Sequence, residues 1–303
     1  MFLAILVPFL GDFALYLVSC SLVLAIFASG YNVAFGYTGI VSVGHSVFFG
    51  YAAYTVGILV RSVGVTNPIL LFLAAIFVAA ALGLLMGFVS SFTRGLYVVV
   101  VTLVFAEIFF FIVNANPGGL TWGESGIVGI RPPGVRIGDI SLELFAGHGL
   151  YYVILAVCAL SIGAVRSIVN SQLGDVLRGI KENEDRMLSL GYNVRQYKVV
   201  SFVISAMFAA VAGVLSGFLD DLAAPQSVKW MTGADVLLTT ILGGPATLLG
   251  PVVGSFVMTF AKFYVSSLVG AANWIYFLGV LYIVVVMLLP GGILGTRIGD
   301  FLH

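Results

Sequence analysis

The residues of this sequence that could take part in catalysis do not form a known catalytic motif. Gly44-His45-Ser46-Val47 sets a histidine beside a serine, but an intramembrane serine protease of the rhomboid type needs GxSG. A membrane aspartyl protease would need two aspartates inside long apolar segments, and the clearest segments contain none. The phosphate-binding pattern GxxxxGK[ST] is also missing, so we expect no ATP hydrolysis, cofactor or metal on this chain itself.

Two charged residues lie deep inside apolar segments, Glu107 in 95–114 and Lys262 in 250–269. Each lies twelve positions after the start of its segment. Charges inside a membrane are costly and usually face the interior of a helix bundle. We therefore predict that Glu107 and Lys262 pair directly or through one water, either as a structural lock or as a substrate contact.

The composition places most of the surface in lipid. Apolar residues make up 61% of the 303 residues and charged residues 9%, whereas a soluble domain has about 45–50% and about 25%. The formal net charge is zero, which excludes a basic surface for nucleic acid. Membrane lipid is therefore the expected surrounding of this chain.

Apolar segments long enough to cross a bilayer predict an all-α fold, a polytopic helix bundle of about eight spans (8–10) in a single domain over 1–303. A spanning helix needs about 20 mostly apolar residues. Two of the candidates, 42–60 and 233–249, are weaker because they contain glycine or polar residues. The clear candidates are 13–34, 68–90, 95–114, 149–170, 198–219, 250–269 and 273–290.

The polar connections between these spans predict the orientation in the membrane. The loop 171–197 and its borders carry six of the 13 Lys and Arg residues. Cytoplasmic loops are enriched in these residues, so 171–197 and the C-terminus are expected in the cytoplasm. The Gly- and Pro-rich loop 115–148 is then expected outside, if 42–60 and 233–249 each cross once.

The loop 171–197 has the pattern of one or two amphipathic helices. Leu173, Val176, Leu177 and Ile180 recur at the spacing of one helix face. Charged residues lie off this stripe, and Gly191 can end the helix in a left-handed turn. The pattern fits either a solvated loop or a docking surface for a soluble partner, and periodicity leaves both open.

Three long stretches resemble the permeases of branched-chain amino acid ABC transporters, the LivM family. They are, in collinear order, "FGYTGIVSVGHSVFFGYAAYT" (35–55), "LGDVLRGIKENEDRMLSLGYNVRQYKVVSFVISAMFAAVAGVLSG" (173–217) and "ADVLLTTILGGPATLLGPVVGS" (234–255). The resemblance implies a cell-membrane permease that forms half of an import pathway for leucine, isoleucine, valine or related amino acids. It also implies as partners two ATP-binding subunits that hold ATP and Mg, a second homologous permease and an extracytoplasmic substrate-binding protein.

The resemblance further implies that the helical part of 171–197 docks into an ATP-binding subunit. The apolar stripe would be buried in that partner, and would therefore be exposed in the isolated chain. The charged residues expected to set the register of docking are Arg178, Lys181, Glu182, Glu184 and Asp185.

Glycine and proline mark two stretches as candidates for helix breaks or for the transport pathway. The first includes Gly39 and Gly44, followed by His45, and the second includes Gly243, Gly244 and Pro245. Broken helices often build transport sites, although close helix packing explains the same residues. The two stretches also share a loose glycine-rich pattern, which is consistent with two halves of an internal repeat. His45 fits a packing role better than a substrate contact.

Alternatives to an amino-acid importer stay open from the sequence. Permeases of the same family carry urea, short amides or aromatic acids, and no residue pattern selects among these substrates. An intramembrane enzyme or an ATP-independent channel is the alternative from another class of protein.

Overall fold

A computed structural model describes residues 11–131, 135–137, 140–142 and 147–270, together with 276, 279, 280, 283, 287 and 291–295. The described part is a helix bundle, which confirms the all-α class. Seven of its helices are long and apolar enough to cross a membrane. The α-helices, in chain order, are α1 (Asp12–Asn32), α2 (Ser46–Ile58), α3 (Pro68–Ser90), α4 (Leu96–Ala115), α5 (Gly147–Val169), α6 (Gln172–Glu182), α7 (Glu184–Ser189), α8 (Val194–Asp220), α9 (Trp230–Gly243) and α10 (Gly250–Val269).

Short elements extend or connect these helices. Strand β1 pairs with β4 and β2 pairs with β3, both antiparallel. The strands are β1 (Ile127–Val128), β2 (Val135–Ile137), β3 (Ile140–Leu142) and β4 (Leu222–Ala223). The remaining elements are π-helical turns at Val33–Tyr37 and Leu59–Val63 and 3₁₀ turns at Pro117–Gly119, Gly123–Ser125 and Pro225–Val228.

Contacts between helix ends define two ends of the bundle. The loop end carries α6 and α7, where Lys181 donates a hydrogen bond to the carbonyl of Gly36 at 2.7 Å. The far end carries residues 116–131, where the Arg131 side chain donates to the carbonyl of Phe218 near the end of α8 at 2.9 Å. The two polar loops therefore lie at opposite ends, as the alternation of spans requires.

Seven of the nine candidate segments, including 42–60, correspond to the seven membrane-length helices. The prediction of a span over 233–249 is wrong, because α9 has 14 residues and ends at Gly243. Gly244 (φ 118°) and Ala246 (φ 61°) then take positive φ values around Pro245, which breaks the helix. Most of the predicted span 273–290 lies outside the described residues.

The order of elements repeats in two halves that run in opposite directions. Helix α1, the irregular segment 38–45, α2 and α3 form the first half, and α8, the segment 221–229, α9 and α10 form the second. Because α1 ends at the loop end and α8 ends at the far end, the halves are inverted relative to each other. The two glycine-rich stretches do not occupy equivalent places in these halves, since one precedes α2 and the other follows α9.

The starts of the short helices α2 and α9 meet inside the bundle. Gly233 of α9 lies against the backbone carbonyl of Val43, and Gly50 of α2 lies against Val228. A side chain at either glycine would collide with the neighbouring backbone. Irregular backbone at membrane depth is tolerated where protein surrounds it, and these close contacts provide that surrounding.

Asn32, at the end of α1, holds the turn that follows α9. Its Nδ2 donates to the carbonyl of Thr247 at 2.8 Å, and its Oδ1 accepts from the N–H of Ala246 at 3.0 Å. Asn32 is buried, so both bonds replace water that the turn would otherwise need. No periodicity in the sequence points to this residue.

Candidate functional site

The loop between α5 and α8 folds into two short helices that join at Asn183. The side-chain oxygen of Asn183 accepts a hydrogen bond from the backbone N–H of Arg186 at 2.9 Å, and this cap begins α7. Gly191, with φ of 88°, adopts the left-handed conformation directly after Leu190, as predicted.

The apolar stripe of α6 faces the bundle, so the prediction that it is exposed in the isolated chain is wrong. Leu177 and Ile180 are 1% and 4% exposed, and Leu173 and Val176 are partly buried beside them. A short amphipathic helix gains most of its stability by packing its apolar face. The ends of α1, α5 and α8 supply that surface through Val33, Tyr37, Val165, Val169, Val194 and Tyr197.

Arg178 and Lys181 fasten α6 to the ends of two long helices. Arg178 donates from Nη2 to the carbonyl of Val169, the last residue of α5. Lys181 donates from Nζ to the carbonyl of Gly36, in the π turn after α1. Helix C-termini leave carbonyls unpaired and attract cations. Both side chains therefore bind the bundle itself, and their role in the register of docking stays a prediction.

Glu184 and Asp185 fasten α7 to the starts of α4 and α8. The Glu184 carboxylate lies 2.7 Å from the ammonium of Lys198 and 3.4 Å from Nε of Arg94. Asp185 lies 3.1 Å from Nη1 of the same arginine. The Lys198 side chain is only 11% exposed, so its pair is the best shielded from water. Together with the α6 contacts, these pairs tie the loop to four helices.

An outer loop face remains exposed after these contacts are made. We define it as Glu182, Arg186, Leu188, Leu190 and Tyr192. Leu188, Leu190 and Tyr192 are 44%, 67% and 39% exposed. These three residues lie outside the predicted stripe of α6 and were not among the predicted docking residues, although apolar residues within a charged stretch were an available signal.

A groove of 530 Å³ lies beside this face, between α7 and the turn after α3. Leu188 and Tyr192 contribute to its lining, as do Phe92, Arg94 and Arg195. The guanidinium of Arg195 lies 4.8 Å from the centre of the Phe92 ring. The groove therefore combines aromatic, aliphatic and cationic groups, the composition that protein interfaces favour.

Gly39, Gly44 and His45 lie in the irregular segment 38–45, and His45 is fully buried. Its Nδ1 lies 2.8 Å from the hydroxyl of Ser42, whose carbonyl accepts a hydrogen bond from the Tyr31 hydroxyl at 2.8 Å. These contacts attach the segment to α1, which favours the packing role for His45. Gly243, Gly244 and Pro245 lie where α9 ends.

The predicted pairing of Glu107 with Lys262 is wrong. The Lys262 ammonium lies 2.6 Å from the carboxylate of Asp235 on α9. The prediction missed Asp235 because it lies in the short helix α9, within a segment that was a weak span candidate. Among the described residues, no ion pair includes Glu107, and no cluster of His, Cys, Asp or Glu could hold a metal ion.

Comparison with protein families supplies the identification. A family model described as the permease component of branched-chain amino acid transport systems matches residues 13–289. The chain belongs to this permease family. The three collinear stretches on which the sequence resemblance rested all lie within the matched residues, so the resemblance is confirmed.

The permease is similar to several curated proteins. It is 28% identical to the high-affinity branched-chain amino acid transport system permease protein LivM of Escherichia coli (strain K12), over 80% of this chain and 61% of that protein. It is 25% identical to the corresponding protein BraD of Pseudomonas aeruginosa, over 89% of this chain and 91% of BraD. It is 30% identical to LivH of Escherichia coli (strain K12), over 41% and 40% of the two chains.

The permease thus spans 61% of the length of the LivM proteins it matches. No solved structure matches it.

Proposed function

We propose that this permease forms half of the translocation pathway of an ATP-driven importer for branched-chain or related amino acids. The observation that carries the proposal is the outer loop face, where two leucines and a tyrosine are exposed between charged residues on a loop that is tied to four helices. Leu188 and Tyr192 line the groove beside α7 together with aromatic and cationic groups, and an apolar patch rimmed by polar residues is typical of a protein interaction site. The names of the LivM, LivH and BraD relatives support the substrate class.

The partners follow from the same reasoning. A chain without a phosphate-binding motif depends on separate ATP-binding subunits, and the groove beside α7 offers one of them a docking surface. Similarity to both LivM and LivH supports a second, homologous permease as the other half of the pathway. An external substrate-binding protein would contact the far end, at the segments 115–148 and 220–232. We place the loop end in the cytoplasm because its loop concentrates Lys and Arg.

Coupling would work through the attachments of α6 and α7. Arg178 and Lys181 tie the loop to the ends of α5 and α1, and Glu184 ties it to α4 and α8. A displacement of the loop by a moving ATP-binding subunit would therefore act on four membrane helices at once. Packed elements transmit such movement because their cores resist compression.

Uptake by the complete transporter tests this function. The permease is purified from its native membrane with the subunits that accompany it and is reconstituted into proteoliposomes. We expect uptake of labelled leucine only when ATP is present on the side of the loop and the binding protein on the other. Parallel assays with phenylalanine, urea and acetamide separate the substrates that the family allows.

The control replaces ATP by ADP. Flux that continues without ATP would favour the channel, and purification without any ATP-binding subunit would contradict the importer.

A further inference from the structure

The ion pair between Asp235 and Lys262 lies at a depth where a charge that faces lipid is costly. Asp235 precedes the loop end of α9 by eight residues and Lys262 follows the start of α10 by twelve. At a rise of about 1.5 Å per residue, these positions lie about 12 and about 18 Å from the loop end. Half of a hydrocarbon core of about 30 Å is about 15 Å, so the pair lies near the middle of the membrane.

The two side chains are also partly open on the surface of the chain. The side chains of Lys262 and Asp235 are 29% and 34% exposed, although α9 and α10, which carry them, pack closely against each other. Exposed charges at this depth face a water-filled cavity or another protein subunit, not lipid. This surface of α9 and α10 is therefore a candidate for the pathway side of the permease.

We propose that Asp235 and Lys262 are the contact site for the backbone of a zwitterionic amino acid as it crosses the membrane. This inference rests on the proposed import function. The substrate's α-ammonium would bind the Asp235 carboxylate, and its α-carboxylate would bind the Lys262 ammonium. Both charged groups of the substrate are attached to its α-carbon. One molecule can therefore contact both side chains once their ion pair, which measures 2.6 Å in the structure, has opened.

Exchange of ion pairs explains why the site suits a zwitterion. When the internal pair opens, each charge loses the attraction of the other at a depth in the membrane where charges are costly. A zwitterion supplies one new partner to each charge and leaves the net charge at zero. Urea and short amides carry no formal charge and cannot offset the opening, so the site selects amino acids from the substrates that the family allows.

The test compares variants of the complete transporter in proteoliposomes. We expect Asp235→Asn and Lys262→Gln each to lower leucine uptake per ATP hydrolysed by roughly tenfold or more, the effect of losing one charge-assisted hydrogen bond. The control Asp12→Asn removes an exposed carboxylate at the far end of α1 and is expected to transport as the unaltered protein does.

A charge swap separates a substrate contact from a structural lock. In the double variant Asp235→Lys with Lys262→Asp the pair is kept but its polarity is reversed. A lock predicts that uptake returns, which would overturn the inference. A substrate contact predicts an assembled complex that hydrolyses ATP while uptake stays low.

If the swap fails to assemble, the single variants Asp235→Glu and Lys262→Arg provide the test, since both keep the charge and change the length or shape of the side chain. Unchanged uptake in both would overturn the inference, and uptake lowered tenfold at normal ATP hydrolysis would support it.

Failure of the proposed function gives a different result. If the unaltered transporter moves no amino acid, the function itself is wrong. If it moves leucine and the swap does so equally well, only the role of Asp235 and Lys262 is wrong.

Discussion

Replacing Gly213 by alanine is expected to destabilise the bundle severely. Gly213 lies on α8, and a Cβ there would collide with the backbone carbonyl of Phe49 on α2. Overpacking a core costs about 1–3 kcal/mol and more where backbone must move. We expect a lower yield of monodisperse protein in detergent and a lower unfolding temperature. Because α2 and α8 belong to opposite halves, this contact holds the inverted halves together.

Gly163→Ala is the matched control for this substitution. Gly163 lies on α5, and a Cβ there meets no atom within 4 Å. Alanine is favoured over glycine inside a helix by about 0.5–1 kcal/mol, so the control should be neutral or slightly stabilising. Equal unfolding temperatures for Gly213→Ala and Gly163→Ala would show that the α2–α8 contact is not close-packed.

Replacing Leu188 by aspartate is expected to separate ATP hydrolysis from transport. Leu188 lines the groove beside α7 and is 44% exposed, so the fold of the permease loses little. Burying a charge in the centre of an interface costs about 2 kcal/mol or more in lost hydration, which weakens docking by at least about tenfold. We expect leucine uptake per ATP hydrolysed to fall by at least that factor.

Leu177→Asp provides the contrast within the same loop. Leu177 is buried against the permease's own helices, so its replacement should lower the unfolding temperature of the permease alone, whereas Leu188→Asp should leave that temperature unchanged. Normal transport by the Leu188→Asp complex would show that the outer loop face is not the docking surface.

Much of the fold could be predicted from apolar length, but the contacts of the polar residues could not. The span 42–60 was correct because its glycines still allow a helix of membrane length together with its π turn. The span 233–249 was wrong because hydropathy does not reveal the break at Gly244 and Pro245. Crossing the membrane there requires the irregular segment 221–229 together with α9, and only the three-dimensional packing shows this.

The loop shows the same limit at the level of side chains. Periodicity correctly placed Leu177 and Ile180 on one face, but it does not tell which molecule covers that face. The chain's own helix ends cover it, and the exposed apolar residues lie further along, at Leu188 and Leu190. Likewise, the cost of burying a charge in the membrane correctly predicted an acidic partner for Lys262. That this partner is Asp235 and not Glu107 depends on which helices are neighbours.

Site-specific photocrosslinking tests most directly whether the outer loop face binds an ATP-binding subunit. A photoreactive amino acid replaces Leu190, which is 67% exposed, and a second variant carries it at Leu120 of the far end as a control. In the complete complex we predict a crosslink from position 190 to an ATP-binding subunit, with a yield that changes when ATP is added, and none to that subunit from position 120. A crosslink to the ATP-binding subunit from position 120 but not from position 190 would contradict that binding.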